Sequence, residues 1–228
     1  MRNTFTLVWK LFVIALAAGL VLGLVNGITK GPISRQEKII ADESRFRAFS
    51  AYENDGGQTV IKDKDGKEIP VAVCETREGS GIYYLYAADD EKKQPLGYAA
   101  SAKVKGYKDM VEVVAAVDTD CRIINVVIGE NQEFAETAGL GSKIKEPRFV
   151  NQFRKTLYNG KDLEFGTSGA GYIIKAGSLK VEKKKTDDNA GNETFDAVSG
   201  ATFSSDAALE ALNQVLAKLY EAVNGGAD

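Results

Sequence analysis

The sequence predicts an α+β protein, built as a single N-terminal transmembrane helix followed by one mixed α/β domain. Three observations lead there. An unbroken apolar run lies near the start of the chain, from Leu11 to Val25. The middle alternates short β-rich runs with turn residues, and the C-terminal segment repeats apolar side chains at helical spacing.

The apolar run is the anchor, placed at residues 1–30. If Lys10 snorkels, it extends from Phe5 to about Ile28. About 21 residues at ~1.5 Å each cover roughly 31 Å, the thickness of a bilayer core. Trp9 sits near one end, where an interfacial aromatic is favoured. The competing reading is a cleaved signal peptide, whose apolar region is roughly 7–15 residues and ends in small residues. This run is longer and leads into Asn26-Gly27-Ile28-Thr29-Lys30-Gly31-Pro32, a poor cleavage site. Arg2 and Lys10 precede the span, while Lys30, Arg35, Lys38, Arg45 and Arg47 follow it. That bias alone would put the large domain in the cytoplasm. Long domains translocate with less regard to charge, so composition leaves the side open.

Residues 31–56 read as a juxtamembrane helix, with Ile33, Ile39, Ile40, Phe46 and Phe49 among charged residues up to about Tyr52 and a stop at Gly56-Gly57. Residues 57–228 read as one domain. Strands are expected from Thr59 onward, at Val71–Val73, Ile82–Tyr86, Leu96–Tyr107, Met110–Val117 and Cys121–Ile128, with a hairpin at Val117-Asp118-Thr119-Asp120-Cys121. A short helix is expected at Phe149–Tyr158, stopped by Asn159-Gly160. Further strands are expected at Tyr172–Lys175 and Ser178–Val181, and a polar loop at Thr186–Thr194. The last helix, Ser204–Val223, carries Ala208, Leu212, Val215, Leu219 and Val223 on one face. Ser204 or Ser205 is its expected cap, and Asp206 suits the positive end of its dipole.

Composition excludes several chemistries. The 228 residues include no histidine, which removes histidine bases, Ser-His and Cys-His pairs, haem attachment and His-based zinc sites. Two cysteines, Cys74 and Cys121, cannot supply the four thiolates of an ordinary iron–sulfur cluster. Both are read as buried free thiols, with one disulfide as the alternative. A net charge of −3 gives no reason to expect nucleic-acid binding. Lys183 to Lys185, beside Asp187 and Asp188, read as a solvated face. No metal site and no catalytic side chain are predicted, so redox chemistry would have to come from an organic cofactor.

One stretch points to such a cofactor: Asp196-Ala197-Val198-Ser199-Gly200-Ala201-Thr202-Phe203-Ser204-Ser205. Small residues crowd before a helix start, where backbone N–H groups come close to a ligand and favour an anion such as phosphate. Thr202 adds a hydroxyl at that place. An ordinary capped loop has the same composition.

The pattern D-x-x-S-G-A-T resembles the sequence at which a flavin transferase joins FMN to a threonine hydroxyl by a phosphodiester. The resemblance extends along the chain to the G subunits of Rnf-type electron transport complexes (the RnfG family) and, more distantly, to the C subunits of the sodium-pumping NADH:quinone reductase. The anchor exit, Val25-Asn26-Gly27-Ile28-Thr29-Lys30, is similar too. So is Glu136-Thr137-Ala138-Gly139-Leu140-Gly141, which in the family usually reads E-T-P-G-L-G. Here Ala138 replaces the proline, and the histidine that often precedes the glutamate is missing.

The resemblance implies a mixed FMN-binding domain with FMN held covalently on Thr202. It assigns Ser199, Gly200, Ala201, Ser204, Glu136, Thr137, Gly139, Leu140 and Gly141 to the cofactor. Asp196, Ser199, Gly200, Ala201 and Thr202 become the transferase recognition sequence. It implies electron relay within an ion-translocating ferredoxin:NAD+ oxidoreductase, a translocase coupled to sodium or proton movement. Partners would be the other Rnf proteins, namely the membrane components A, D and E and the peripheral components B and C, together with the flavin transferase. The domain would lie on the outer side of the cytoplasmic membrane, where a tether prevents loss of FMN. The quinone-reductase protein, a flavin-free assembly component and a free-standing extracellular flavoprotein are the alternatives.

Overall fold

The computed structural model describes residues 2–63, 65–129, 134, 136–164 and 195–225, with side chains from residue 8 onward. The strands expected at Tyr172–Lys175 and Ser178–Val181 and the loop Thr186–Thr194 lie outside the described residues. The chain divides into two units, residues 1–40 and 41–228.

The N-terminal run belongs to one helix, α1 (Arg2–Ala48), which is long and apolar enough to cross a membrane. Its large apolar side chains from Val8 to Ile28 are all exposed, as lipid-facing residues are. The helix continues through Pro32, which gives up one backbone N–H, so no break separates an anchor from a juxtamembrane helix. It ends at Ala48, short of the expected Tyr52. Ser50 takes a left-handed φ of 57°, its N–H bonds to the Arg47 carbonyl, and the Ala51 N–H bonds to the Phe46 carbonyl. This is the paired closure that usually needs glycine at the left-handed position. With serine there, the sequence carries no stop signal before Gly56.

The second unit is a seven-stranded antiparallel sheet whose strands neighbour one another in chain order. They are β1 (Tyr52–Glu53), β2 (Thr59–Lys62), β3 (Glu68–Glu75), β4 (Ile82–Ala87), β5 (Pro95–Lys105), β6 (Met110–Val117) and β7 (Ile123–Ile128). One device builds four of the turns. The side-chain oxygens of Asn54, Asp63, Asp90 and Asp118 each accept N–H groups two and four residues on. At the last of these, Cys121 sits in the turn at φ 61° and β7 begins two residues later. The expected strand start at Cys121 is thus corrected to Ile123. Both cysteines are free thiols; Cys121 is buried and Cys74 only half-buried.

Both faces of the sheet are covered, which is why β6 reads as a nearly continuous apolar run. On one face Tyr98, Ala100 and Ala102 of β5 and Val111, Val113, Ala115 and Val117 of β6 meet Leu212, Val215, Leu216 and Leu219 of α3 (Thr202–Asn224). On the other, Ala99, Val114, Ala116 and Val127 pack with Ala48 and Phe49. A register shift between Ala116 and Val117 lets both Ile123 and Val126 face α3. Each fully buried Leu or Val of α3 contributes about 1.5–3 kcal/mol relative to exposure.

The helix expected at Phe149–Tyr158 is shorter. It consists of α2 (Pro147–Val150) and a 3₁₀ turn at Asn151–Phe153. Lys155 adopts φ 66°, and the chain then turns extended to pair with the residues before β7. The Lys155 N–H reaches the Ile123 carbonyl (2.7 Å), the Ile123 N–H reaches the Thr156 carbonyl (2.9 Å), and the Tyr158 N–H reaches the Cys121 carbonyl (3.0 Å). The open hydrogen-bonding edge at β7 outcompetes the helix for these residues.

Candidate functional site

The two sequence-predicted stretches come together at the amino end of α3, joined through Glu136. Its carboxylate is buried. One oxygen accepts the backbone N–H groups of Lys108 (3.0 Å) and Asp109 (3.3 Å), in the β5–β6 turn. The other accepts the Ser204 hydroxyl at 2.7 Å. Burial pushes its pKa up, but the bonds from Ser204, Lys108 and Asp109, with the nearby Lys105 charge, outweigh that and hold it below the ordinary value. Two glycines make room for the carboxylate. A Cβ on Gly106 would lie 2.5 Å from one carboxylate oxygen, and one on Gly141 would lie 2.8 Å from the other and 2.9 Å from the Ser204 oxygen.

Glu136 therefore points inward. It acts as a clamp between three segments, with its carboxylate committed to protein donors. Ser204, expected as a cap or a cofactor contact, also turns inward as the partner of Glu136. The Thr137 carbonyl accepts the N–H groups of Leu140 (3.2 Å) and Ser142 (3.1 Å), which closes the loop, and Gly139 supplies the positive φ of 77° that it needs. Leu140 is 46% exposed and faces the second stretch, its Cδ2 lying 3.4 Å from where a Gly200 Cβ would be.

The second stretch is fixed at both ends. The Asp196 N–H and carbonyl pair with the side-chain amide of Gln152 at 2.8 and 3.0 Å. The Val198 N–H donates to the buried Ser205 hydroxyl at 3.0 Å, and the Ala201 N–H bonds back to the Val198 carbonyl. Gly200 makes that turn with φ 76°, a conformation other residues rarely take. Between these anchors Ser199 and Gly200 are exposed, Ala201 is buried, and the chain enters α3 at Thr202. The helix thus starts two residues before the expected Ser204. The residue preceding it is Ala201, and no side chain caps the helix. Ser204 and Ser205 are already committed to Glu136 and Val198.

Thr202 is exposed in the first turn of an uncapped 23-residue helix. This arrangement fits a phosphate. The end of the helix dipole is positive and its first N–H groups lack a side-chain acceptor, with a hydroxyl in the same turn. Neither Gly106 nor Gln152, which pairs with Asp196, carries such a signal in the sequence. Gly106 and Tyr107 lie in the turn that Glu136 holds, and that contact spans 28 residues, so no local pattern reveals it. Among the described residues, no cluster of acidic or cysteine side chains could hold a metal ion.

Residues 106–217 match the family model of the FMN-binding domain. Among curated proteins it is similar to the G subunit of the proton-translocating ferredoxin:NAD(+) oxidoreductase complex of Clostridium ljungdahlii, 22% identical with 98% of this chain and 96% of that protein covered. It is similar also to the G subunit of the ion-translocating oxidoreductase complex of Methanosarcina acetivorans, 23% identical over 91% of this chain and 92% of that protein. Among solved structures it resembles the C subunit of the Na(+)-translocating NADH-quinone reductase of Parabacteroides distasonis, with a TM-score of 0.51 over 84% of this chain and 96% of that one. At 16% identity that likeness is one of fold.

Proposed function

We propose that this chain is a membrane-anchored electron-transfer component of an Rnf-type ion-translocating ferredoxin:NAD+ oxidoreductase complex, carrying FMN joined to Thr202 by a phosphodiester. The observation that carries this is the exposed Thr202 hydroxyl in the first turn of the uncapped helix α3, directly after the Gly200 turn. The near full-length similarity to the two oxidoreductase proteins supports the choice of complex.

FMN, when bound, supplies the redox chemistry. This chain's residues bind and place it. The Ser199-Gly200-Ala201 turn brings backbone close to the phosphate, and the amino end of α3 offsets its negative charge. Glu136, through Ser204 and the Lys108 and Asp109 amides, fixes the helix start against the neighbouring turn. Asp196 is exposed beside the turn, where a flavin transferase can read it. The anchor α1 holds the domain at the membrane, on the outer side in this reading, with the other proteins of the complex as partners.

Expression with an active flavin transferase tests the attachment. The wild-type band should fluoresce in a denaturing gel. Thr202→Val should lose that signal completely, while thermal unfolding shifts little because the side chain is exposed. A fluorescent Thr202→Val band would contradict the assignment. Absence of flavin from the wild type would favour an assembly role. Co-purification with components of the NADH:quinone reductase would favour membership of that enzyme instead.

A further inference from the structure

We propose that Tyr107 and Phe203 form the surface against which the flavin ring rests, an inference that depends on attachment at Thr202. The two rings lie with centroids 6.3 Å apart and planes tilted by 35°. Both are left in the open, Tyr107 at 69% and Phe203 at 71% exposure. In the 41–228 unit they are the two most exposed large apolar side chains among the described residues. Exposed aromatics gathered at one place mark a contact surface more often than ordinary solvent-facing positions.

Their support is rigid although their faces are open. The Glu136 carboxylate binds the backbone of Lys108, next to Tyr107, and the hydroxyl of Ser204, next to Phe203. One buried group thus sets the β5–β6 turn and the start of α3 relative to each other, and with them the two rings. The turn is further closed by the Gly106 N–H on the Asp109 carbonyl (2.8 Å) and by the Lys105 ammonium on the Lys108 carbonyl (2.8 Å). Leu140 lies against Gly200, two residues before Thr202.

The occupant follows from covalent proximity. Phe203 is the residue after Thr202, so a group tethered at Thr202 remains beside the pair. A planar aromatic ring gains from stacking on aromatic faces. The ribityl chain leaves several torsions between phosphate and ring, which a second contact must restrain. A protein partner or a second copy of this chain could also cover two aromatic rings, and the test separates these cases.

The experiment uses the full-length flavinylated chain in detergent. Fluorescence yield and iodide quenching of the attached flavin are measured, and the Thr202 peptide is checked by mass in every sample. Stacking predicts that wild-type fluorescence is quenched several-fold and is recovered when the protein is digested to peptides. Tyr107→Leu should raise the yield, because the stacked phenol is the electron donor that quenches the flavin, whereas Phe203→Leu should act chiefly by raising iodide access, and the double variant should show both effects. Phe203→Tyr keeps an aromatic face and adds a second quencher, so iodide access should stay near the wild type while the yield falls. Both positions are exposed, so circular dichroism should be unchanged. Wild-type fluorescence equal to that of the digest, or Leu variants that carry FMN on Thr202 with unchanged yield and iodide access, would overturn the inference and leave the attachment standing. In that case the rings face a partner or a second copy. Wild-type Thr202 without FMN would overturn both.

Discussion

The two glycine-bearing stretches, residues 136–141 and 196–202, look alike in sequence and do opposite work. The first folds inward. Its glutamate is buried, its carboxylate accepts three protein donors, and Gly141 exists to let it close. The second folds outward. Its ends are fixed by Gln152 and Ser205, while Ser199, Gly200 and Thr202 stay open at an uncapped helix end. Small residues in a motif therefore do not say which way a stretch faces. The direction in which the polar side chains are satisfied does.

The sharpest way to break that contrast is to remove the clamp. Glu136→Ala leaves the Ser204 hydroxyl and two backbone N–H groups without their acceptor, at a cost of about 3 kcal/mol or more. Thermal unfolding of the full chain should show a large drop, whereas Thr202→Val should change stability by less than about 0.5 kcal/mol. Equal effects at the two positions would dissolve the distinction between clamp and acceptor.

The glycines sharpen it further. Gly141→Ala would push a methyl to 2.8 Å from the Glu136 carboxylate and should cost about 1–3 kcal/mol. Gly139→Ala meets nothing within 4 Å but must hold φ 77°, so a loss of about 1–2 kcal/mol is expected from backbone strain alone. Combining each with Glu136→Gln and measuring unfolding separates them. The Gly141 variant should couple to Glu136, and the Gly139 variant should not.

Acid should act on the inward stretch. The folded pKa of Glu136 lies below its ordinary value of 4.5. Its ionised form therefore contributes stability above about pH 4.5, and that contribution is lost as pH falls through the depressed folded value. Glu136→Gln should flatten this part of the acid limb of the stability curve. An unchanged acid limb would mean that the carboxylate gains nothing from its three donors. Smallest in stability is Leu140→Asp, at a side chain already half exposed. Unfolding should move little and flavin attachment should persist, while the flavin spectrum shifts.

Much of the fold was legible because its signals are local. The runs of β5 and β6, the Asp118 turn and the apolar face of α3 each lie within a short window. What escaped was decided at a distance or by an unusual residue. The end of α1 uses serine in a left-handed position where glycine would have announced it. The helix after Val150 yields to the edge at β7. The caps assigned to Ser204 and Ser205 are diverted to partners up to 68 residues away. Within the candidate site, the small residues crowded before α3 could be read directly, although Thr202 falls inside the helix and not ahead of it. The inward direction of Glu136 and the aromatic pair at Tyr107 and Phe203 could not, because both depend on the β5–β6 turn meeting the start of α3.

Thr202 is the proposed outward-facing attachment point. Mass spectrometry of proteolytic peptides from the native membrane protein addresses it directly. The peptide containing Thr202 should carry the mass of one FMN less one water, with fragmentation placing it on that residue. An unmodified Thr202 peptide, from membranes that contain active flavin transferase, would contradict it.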